Sequence, residues 1–288
     1  MKFRTEVEKP RPLQWLEPQT PVTLLGSCFA DNVGQRLVRD GFDTIHNPLG
    51  PLYNPMSLAR CLQAALDGYR YTSADLVAGP RGHHCLDYAS RYSGDNPDRL
   101  CEEINDIITR LGERLRRPEP QILCLTFGSA WHFLLDGKKP VGNCHKFPSQ
   151  RFERRLLKTD EIAGTWAELL RELPGNIRTV FTVSPIRHLA DGLHGNSISK
   201  ATLLLATESI TAQSECPAIY FPAFEIMNDD LRDYRFYADD LKHPTSMAAD
   251  YIYEIFQTMF MTSAAMEHAA GCRRAAAAAA HKTILTQQ

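Results

Sequence analysis

Val22-Thr23-Leu24-Leu25-Gly26-Ser27-Cys28-Phe29-Ala30-Asp31-Asn32-Val33-Gly34-Gln35-Arg36-Leu37 is the stretch on which the fold class turns. Residues 22–25 form a short run with a strand's apolar character, suited to burial on both faces of a sheet. Phe29, Val33 and Leu37 then recur at four-residue spacing, the apolar stripe of a helix, and Gly41 suits the position just past its end. The strand passes into the helix almost without a loop, as in an α/β unit.

The same alternation continues along the chain. Further short apolar runs at Asp43–His46, Ile122–Phe127, Thr179–Val183 and Ala218–Phe221 read as strands. Between them Leu58, Leu62, Ala65 and Leu66 mark one helix, Ile104, Ile107, Ile108 and Leu111 another, and Leu203, Leu204 and Ile210 a third. A last helix is predicted from Pro244, a residue suited to the first helical position, through Ile252, Phe256 and Phe260. Strands separated by helices imply a parallel sheet. Residues 1–20 are a polar lead-in, 21–262 the domain, and 263–288 an Ala-rich tail expected to be a frayed helix or disordered. Residues 68–99 lack sustained periodicity and are too long for an ordinary connection. They read as a lid-like insertion near the ligand end of the sheet, where a dimer contact is the other option.

Composition narrows the function. The chain has 288 residues, 43% of them hydrophobic, enough for a sizeable core. Its 32 basic and 34 acidic residues give a net charge of −2, so a nucleic-acid partner is not expected. The charged N-terminus does not read as a signal peptide and no apolar run is long enough to span a bilayer, so no membrane association and a cytoplasmic setting are expected. The eight cysteines are scattered and should be free thiols.

Two blocks carry the candidate chemistry. Gly26-Ser27-Cys28-Phe29-Ala30 sits at the strand-to-helix turn, where helix N–H groups can stabilise a tetrahedral oxyanion. Ser27 is the expected nucleophile, against the alternative that it merely caps the helix. Cys28 is the rival, its thiol favoured by the helix N-terminus but expected to point elsewhere than Ser27. The second block is Asp239-Asp240-Leu241-Lys242-His243-Pro244. His243 precedes a proline and so favours extended backbone, and Asp240 can reach round the turn to hold its second nitrogen. A base oriented by a carboxylate is what activation of a nucleophile requires; the alternative is a solvated acidic loop.

With those residues in view, the sequence resembles the GSCFA-domain family, a branch of the SGNH or GDSL hydrolases. The resemblance runs from about Leu25 to Phe260. It is carried by Gly26–Ala30, Asn47-Pro48-Leu49-Gly50, Leu125-Thr126-Phe127-Gly128, Asn143-Cys144-His145-Lys146, Thr182-Val183-Ser184-Pro185, Ser199-Lys200-Ala201-Thr202 and Asp233-Tyr234-Arg235-Phe236-Tyr237. It implies a three-layer α/β/α flavodoxin-like fold with about five parallel strands. The activity implied is hydrolysis of a small-molecule ester through an acyl-serine, without a cofactor. A carbohydrate deacetylase is the guess by analogy. The resemblance places the nucleophile on Ser27, the Asp/His pair on Asp240 and His243, and an oxyanion donor on the Gly50 N–H beside that of Ser27. Gly128-Ser129-Ala130 stands where the wider group has Gly-x-Asn. Ala130 has no side-chain donor, so Asn143 or His145 is the candidate replacement. A non-catalytic binding protein that kept the pocket is the alternative reading; a homo-oligomer is left open.

Among the remaining residues, His83, His84, Cys85, Cys144 and His145 lack zinc-ligand spacing, and no metal is expected. His188 and His194 are read as either pocket-lining or loop-stabilising. Lys200 is expected to face solvent, the alternative being a carboxylate or substrate anion beside it.

Overall fold

The computed structural model describes residues 4–8, 11–80, 82–214 and 216–285. The deciding stretch forms β1 (Val22–Gly26), buried throughout, and α1 (Cys28–Arg39), with Ser27 alone between them. β2 (Thr44–His46) and α2 (Pro55–Asp67) follow, the latter capped by the Asn54 side chain. Residues 68–99 contain a small antiparallel sheet of β3 (Val77–Gly79), β4 (Gly82–His84) and β5 (Ser93–Gly94). Next come α3 (Pro97–Leu115) and the central β6 (Gln121–Phe127). A second antiparallel sheet, β7 (Trp131–Leu135), β8 (Lys139–Val141) and β9 (Phe152–Leu156), was not anticipated from the sequence, because its strands are only half-buried. The chain continues through α4 (Thr159–Glu172), β10 (Ile177–Val183), α5 (Gly192–Gln213) and β11 (Ala218–Tyr220). It closes with a short α6 (Ala223–Glu225), then α7 (Ser246–Phe260) and α8 (Ser263–Leu285).

The central sheet has the order β11-β10-β6-β1-β2, and every pairing in it is parallel. One face is covered by α1, α7 and α8 through Phe29, Leu37, Ile252, Phe256 and Ala265. The other meets α2 to α5 through Leu62, Ile108, Trp166 and Leu203. This is the three-layer flavodoxin-like arrangement. Phe127, Trp166 and Phe181 form a buried ring cluster with centroids 5.3–5.6 Å apart, tying β6 and β10 to α4. The strand order reverses between β1 and β6, which opens a crevice at their carboxyl ends.

Three expectations change. The last helix starts at Ser246, two residues after Pro244, because the Thr245 side chain accepts from the Ala248 N–H and caps it there. The described residues of 68–99 do not cover the main cleft as a lid: none of them lines it, and Cys85, Leu86, Tyr88 and Tyr92 are buried in packing that supports its wall from behind. The Gly142 N–H on that wall donates to the Leu86 carbonyl. The Ala-rich tail is helical over Ser263–Leu285 and is attached to the domain. Ala265 and Ala269 are buried, and Arg273 pairs with the buried carboxylate of Asp40. The lead-in is attached as well, since the Leu13 and Leu16 N–H groups donate to Met259 and Phe260 carbonyls.

Candidate active site

A cleft of about 350 Å³ opens where β1 and β6 end. Ser27 and Cys28 reach it from the head of α1, and Gly128 and Ser129 from the end of β6. Tyr53 and Asn54 enter ahead of α2, Trp131 and Phe133 from β7, and Lys242 and His243 from the loop before α7.

The turn that presents Ser27 and Cys28 has a backbone open only to glycine at its first position. Gly26 sits at φ +143°, and a Cβ there would lie 2.2 Å from the Thr126 carbonyl oxygen. The buried Asn47 side chain holds this turn from the side. Its Oδ1 accepts from the Gly26 N–H at 2.8 Å, and its Nδ2 donates to the Ser27 carbonyl at 3.2 Å. This role of Asn47 does not follow from the sequence motif in which it stands. The available signal was an asparagine ahead of proline, a residue type that tolerates the left-handed φ of +37° found there.

Cys28, not Ser27, faces the histidine. Cys28 Sγ lies 3.6 Å from His243 Nε2, and Asp240 Oδ2 lies 2.5 Å from His243 Nδ1. With the Nδ1 proton donated to Asp240, Nε2 is left as an acceptor turned toward the thiol. Among the described residues no hydrogen bond joins Ser27 to His243. The Ser27 hydroxyl instead accepts from the Phe29 N–H at 3.2 Å, capping α1, and the residue is 2% exposed. One step along the chain at a helix start swings a side chain far around the axis, so only one of the two adjacent nucleophiles can meet a given partner.

The histidine loop is held by Asp240 twice over. Its Oδ1 accepts from the Lys242 and His243 N–H groups at 2.9 and 3.0 Å, while Oδ2 holds the ring. Leu241 takes a left-handed φ of +57°, and the Ala238 N–H donates to the His243 carbonyl, closing a tight turn. The His243 backbone N–H, then its ring, then the Lys242 N–H hold the Asp240 carboxyl well below the usual range. Burial pushes the Cys28 thiol up, opposed by the N–H groups of Cys28 and Phe29 at the helix head and by Lys200. The resting group is therefore a thiol that needs a base.

Several expected site residues are placed elsewhere. The Gly50 N–H is spent on the Asn47 carbonyl at 2.8 Å and the Ser27 N–H on the Thr126 carbonyl at 3.2 Å, so neither serves an oxyanion. Asn143 and His145 do not line the cleft. Asn143 Oδ1 accepts from the His145 N–H, and the His145 ring is buried against His84 and the Tyr88 carbonyl. Gly128 does line it, with its N–H donated to the Tyr53 carbonyl. His188 lines it too, and His194 does not.

Lys200 does not face solvent. It is fully enclosed, and its Nζ donates to the carbonyls of Gly128 and Ser184, both at 2.7 Å. Both carbonyls belong to residues of the cleft wall. Burial brings this amine down to about 7. The legible signal was its position at helical spacing with Leu203, Leu204 and Thr207, on the inward face of α5.

Among the described residues no cluster of three or more His, Cys, Asp or Glu is placed to hold a metal, and no helix is long and apolar enough to cross a membrane. All eight cysteines are free. The model of the GSCFA family matches residues 21–256. No curated protein and no solved structure matches the chain. The matched span runs from the start of β1 into α7 and takes in both the Gly26–Ala30 turn and the Asp240/His243 loop, and on that coverage the chain belongs to the GSCFA family.

Proposed function

We propose that this protein is an acyl-ester or thioester hydrolase of the SGNH type in which Cys28, rather than Ser27, is the nucleophile. The observation that carries this reading is the row Cys28 Sγ, His243 Nε2, His243 Nδ1, Asp240 Oδ2, with its two contacts of 3.6 and 2.5 Å. In the first half-reaction His243 Nε2 takes the thiol proton as Sγ attacks the acyl carbonyl carbon. The carbonyl oxygen becomes an oxyanion. Cys28 and Asn54 line the cleft, and neither backbone N–H is taken by another residue among those described, which leaves these two amides available as its donors. Collapse breaks the bond to the leaving group, which takes the proton from His243, and an acyl-thioester stays on Cys28. Water then gives a proton to His243 and its oxygen to the acyl carbon. The carboxylic acid leaves and the thiol is restored. Asp240 stays ionised throughout and stabilises the imidazolium. No cofactor is required, and a small ester in a cytoplasmic setting fits this reading.

The test is parallel labelling with iodoacetamide and a fluorophosphonate, the modified residue being located by tandem mass spectrometry. Alkylation at Cys28 is expected, slowed in His243→Ala and retained in Ser27→Ala, together with loss of ester hydrolysis in Cys28→Ala. Fluorophosphonate on Ser27, with activity surviving Cys28→Ala, would reinstate the serine. A folded protein in which neither residue labels faster than a free amino acid would favour a binding protein.

A further inference from the structure

The charge of the cleft is one-sided. Arg187, His188, Lys242 and His243 line it, and among the described residues no aspartate or glutamate does. The acids around it are already engaged. Asp240 is on His243, Asp31 is 2.8 Å from His46 Nδ1, and Asp191 takes a two-pronged pair from Arg154. Arg187 and Lys242, by contrast, have no ion-pair partner among the described residues. The Arg187 guanidinium lies 4.4 Å from the Tyr237 ring centroid, a contact that orients it without neutralising it. Beyond that ring a smaller hollow holds Asp233, whose carboxylate is engaged by Arg235. The backbone draws the two cationic segments together, the Arg187 N–H reaching the Lys242 carbonyl at 3.4 Å. Trp131, Phe133 and Tyr53 add apolar and aromatic lining.

A lining that combines aromatic rings with unneutralised cations suits a ligand with an apolar part and a negative group. We infer that the substrate is an anionic ester or thioester whose carboxylate is held by Arg187 and Lys242 while its acyl bond lies at Cys28. This rests on the reading of the cleft as an acyl-transfer site, but its test separates the two.

Binding is measured by calorimetry to Cys28→Ala, which leaves the cations in place, with three ligands of similar size. Monomethyl succinate carries its carboxylate on the acyl side, acetoxyacetate on the alcohol side, and methyl butyrate is neutral. One of the anionic ligands is expected to bind about tenfold to a hundredfold more tightly than methyl butyrate, the range of one or two charge-assisted hydrogen bonds. Whichever does so shows which side of the ester bears the charge. The preference should shrink with added salt and vanish when Arg187→Ala and Lys242→Ala are added together. Equal binding of all three ligands, or a preference that survives the double substitution, would overturn the inference. Turnover of the preferred ester by the unmodified protein is read separately. Selective binding without turnover counts against the catalytic reading and leaves the anion site standing.

Discussion

One side chain, Asn47, grips the backbone that presents Cys28, and it does so with both ends of its amide. Asn47→Ala would leave the buried Gly26 N–H without its acceptor, at a cost of about 1–3 kcal/mol, and would take from the Ser27 carbonyl one of its two donors, the Ala30 N–H remaining. Urea denaturation should show that loss, and the alkylation rate of Cys28 should fall with it because the turn is no longer held. The thiol makes a prediction about pH. Burial raises it, so without its base it should ionise only above the usual thiol range. In His243→Ala the alkylation rate should therefore keep climbing through alkaline pH, whereas the unmodified protein should react at lower pH, where His243 can take the proton. A matching profile in both proteins would remove His243 from the reaction. At this scale the sequence identified Asp240 and His243 because they lie three residues apart in one loop. It put the nucleophile on Ser27 with Cys28 as the rival, and no local feature shows which of the two neighbours faces the histidine.

Among the elements, the turn from Ala238 to His243 is the one on which function rests, and Asp240 has two separable duties in it. Its Oδ1 organises the turn through two backbone N–H groups, and its Oδ2 orients the ring. Asp240→Asn keeps an oxygen for the turn but has no charge to stabilise the imidazolium, so melting should change little. Ester turnover should drop by a factor on the order of a thousand or more, by analogy with the same substitution in catalytic triads. If turnover falls only with Asp240→Ala and not with Asp240→Asn, the carboxylate is a structural acceptor alone. The elements seen in advance were the five parallel strands and the helices α1, α2, α3, α5 and α7; α4 was not anticipated, although Ile162, Trp166, Leu169 and Leu170 form its buried stripe. The antiparallel sheet of β7, β8 and β9 escaped because its exposed face interrupts the apolar pattern. It nevertheless supplies Trp131 and Phe133 to the cleft.

On the scale of the whole molecule, Lys200 links α5 to the ends of β6 and β10 by donating to the Gly128 and Ser184 carbonyls. A neutral amine has two N–H groups, and here two acceptors meet them. Burial lowers this group from 10.5 to about 7 in the folded chain, so between those values the unfolded chain binds the additional proton. Stability should therefore rise with pH from about 7 toward 10.5, and below 7 the penalty for charging a buried amine is present in full. Lys200→Met should flatten that rise, as read from urea midpoints across the window; an unchanged slope would mean that the lysine stays charged inside the fold. The α/β class, the parallel sheet and the two chemical blocks were determined by the sequence alone, because periodicity, a strand-to-helix turn and a three-residue spacing are local properties of a chain. Tertiary structure decided which nucleophile meets the base and which amides and cations surround it. Cys28 and His243 are 215 residues apart, and whether one or the other of two adjacent side chains faces the imidazole depends on how the loop before α7 packs across the end of the sheet, which no local pattern encodes.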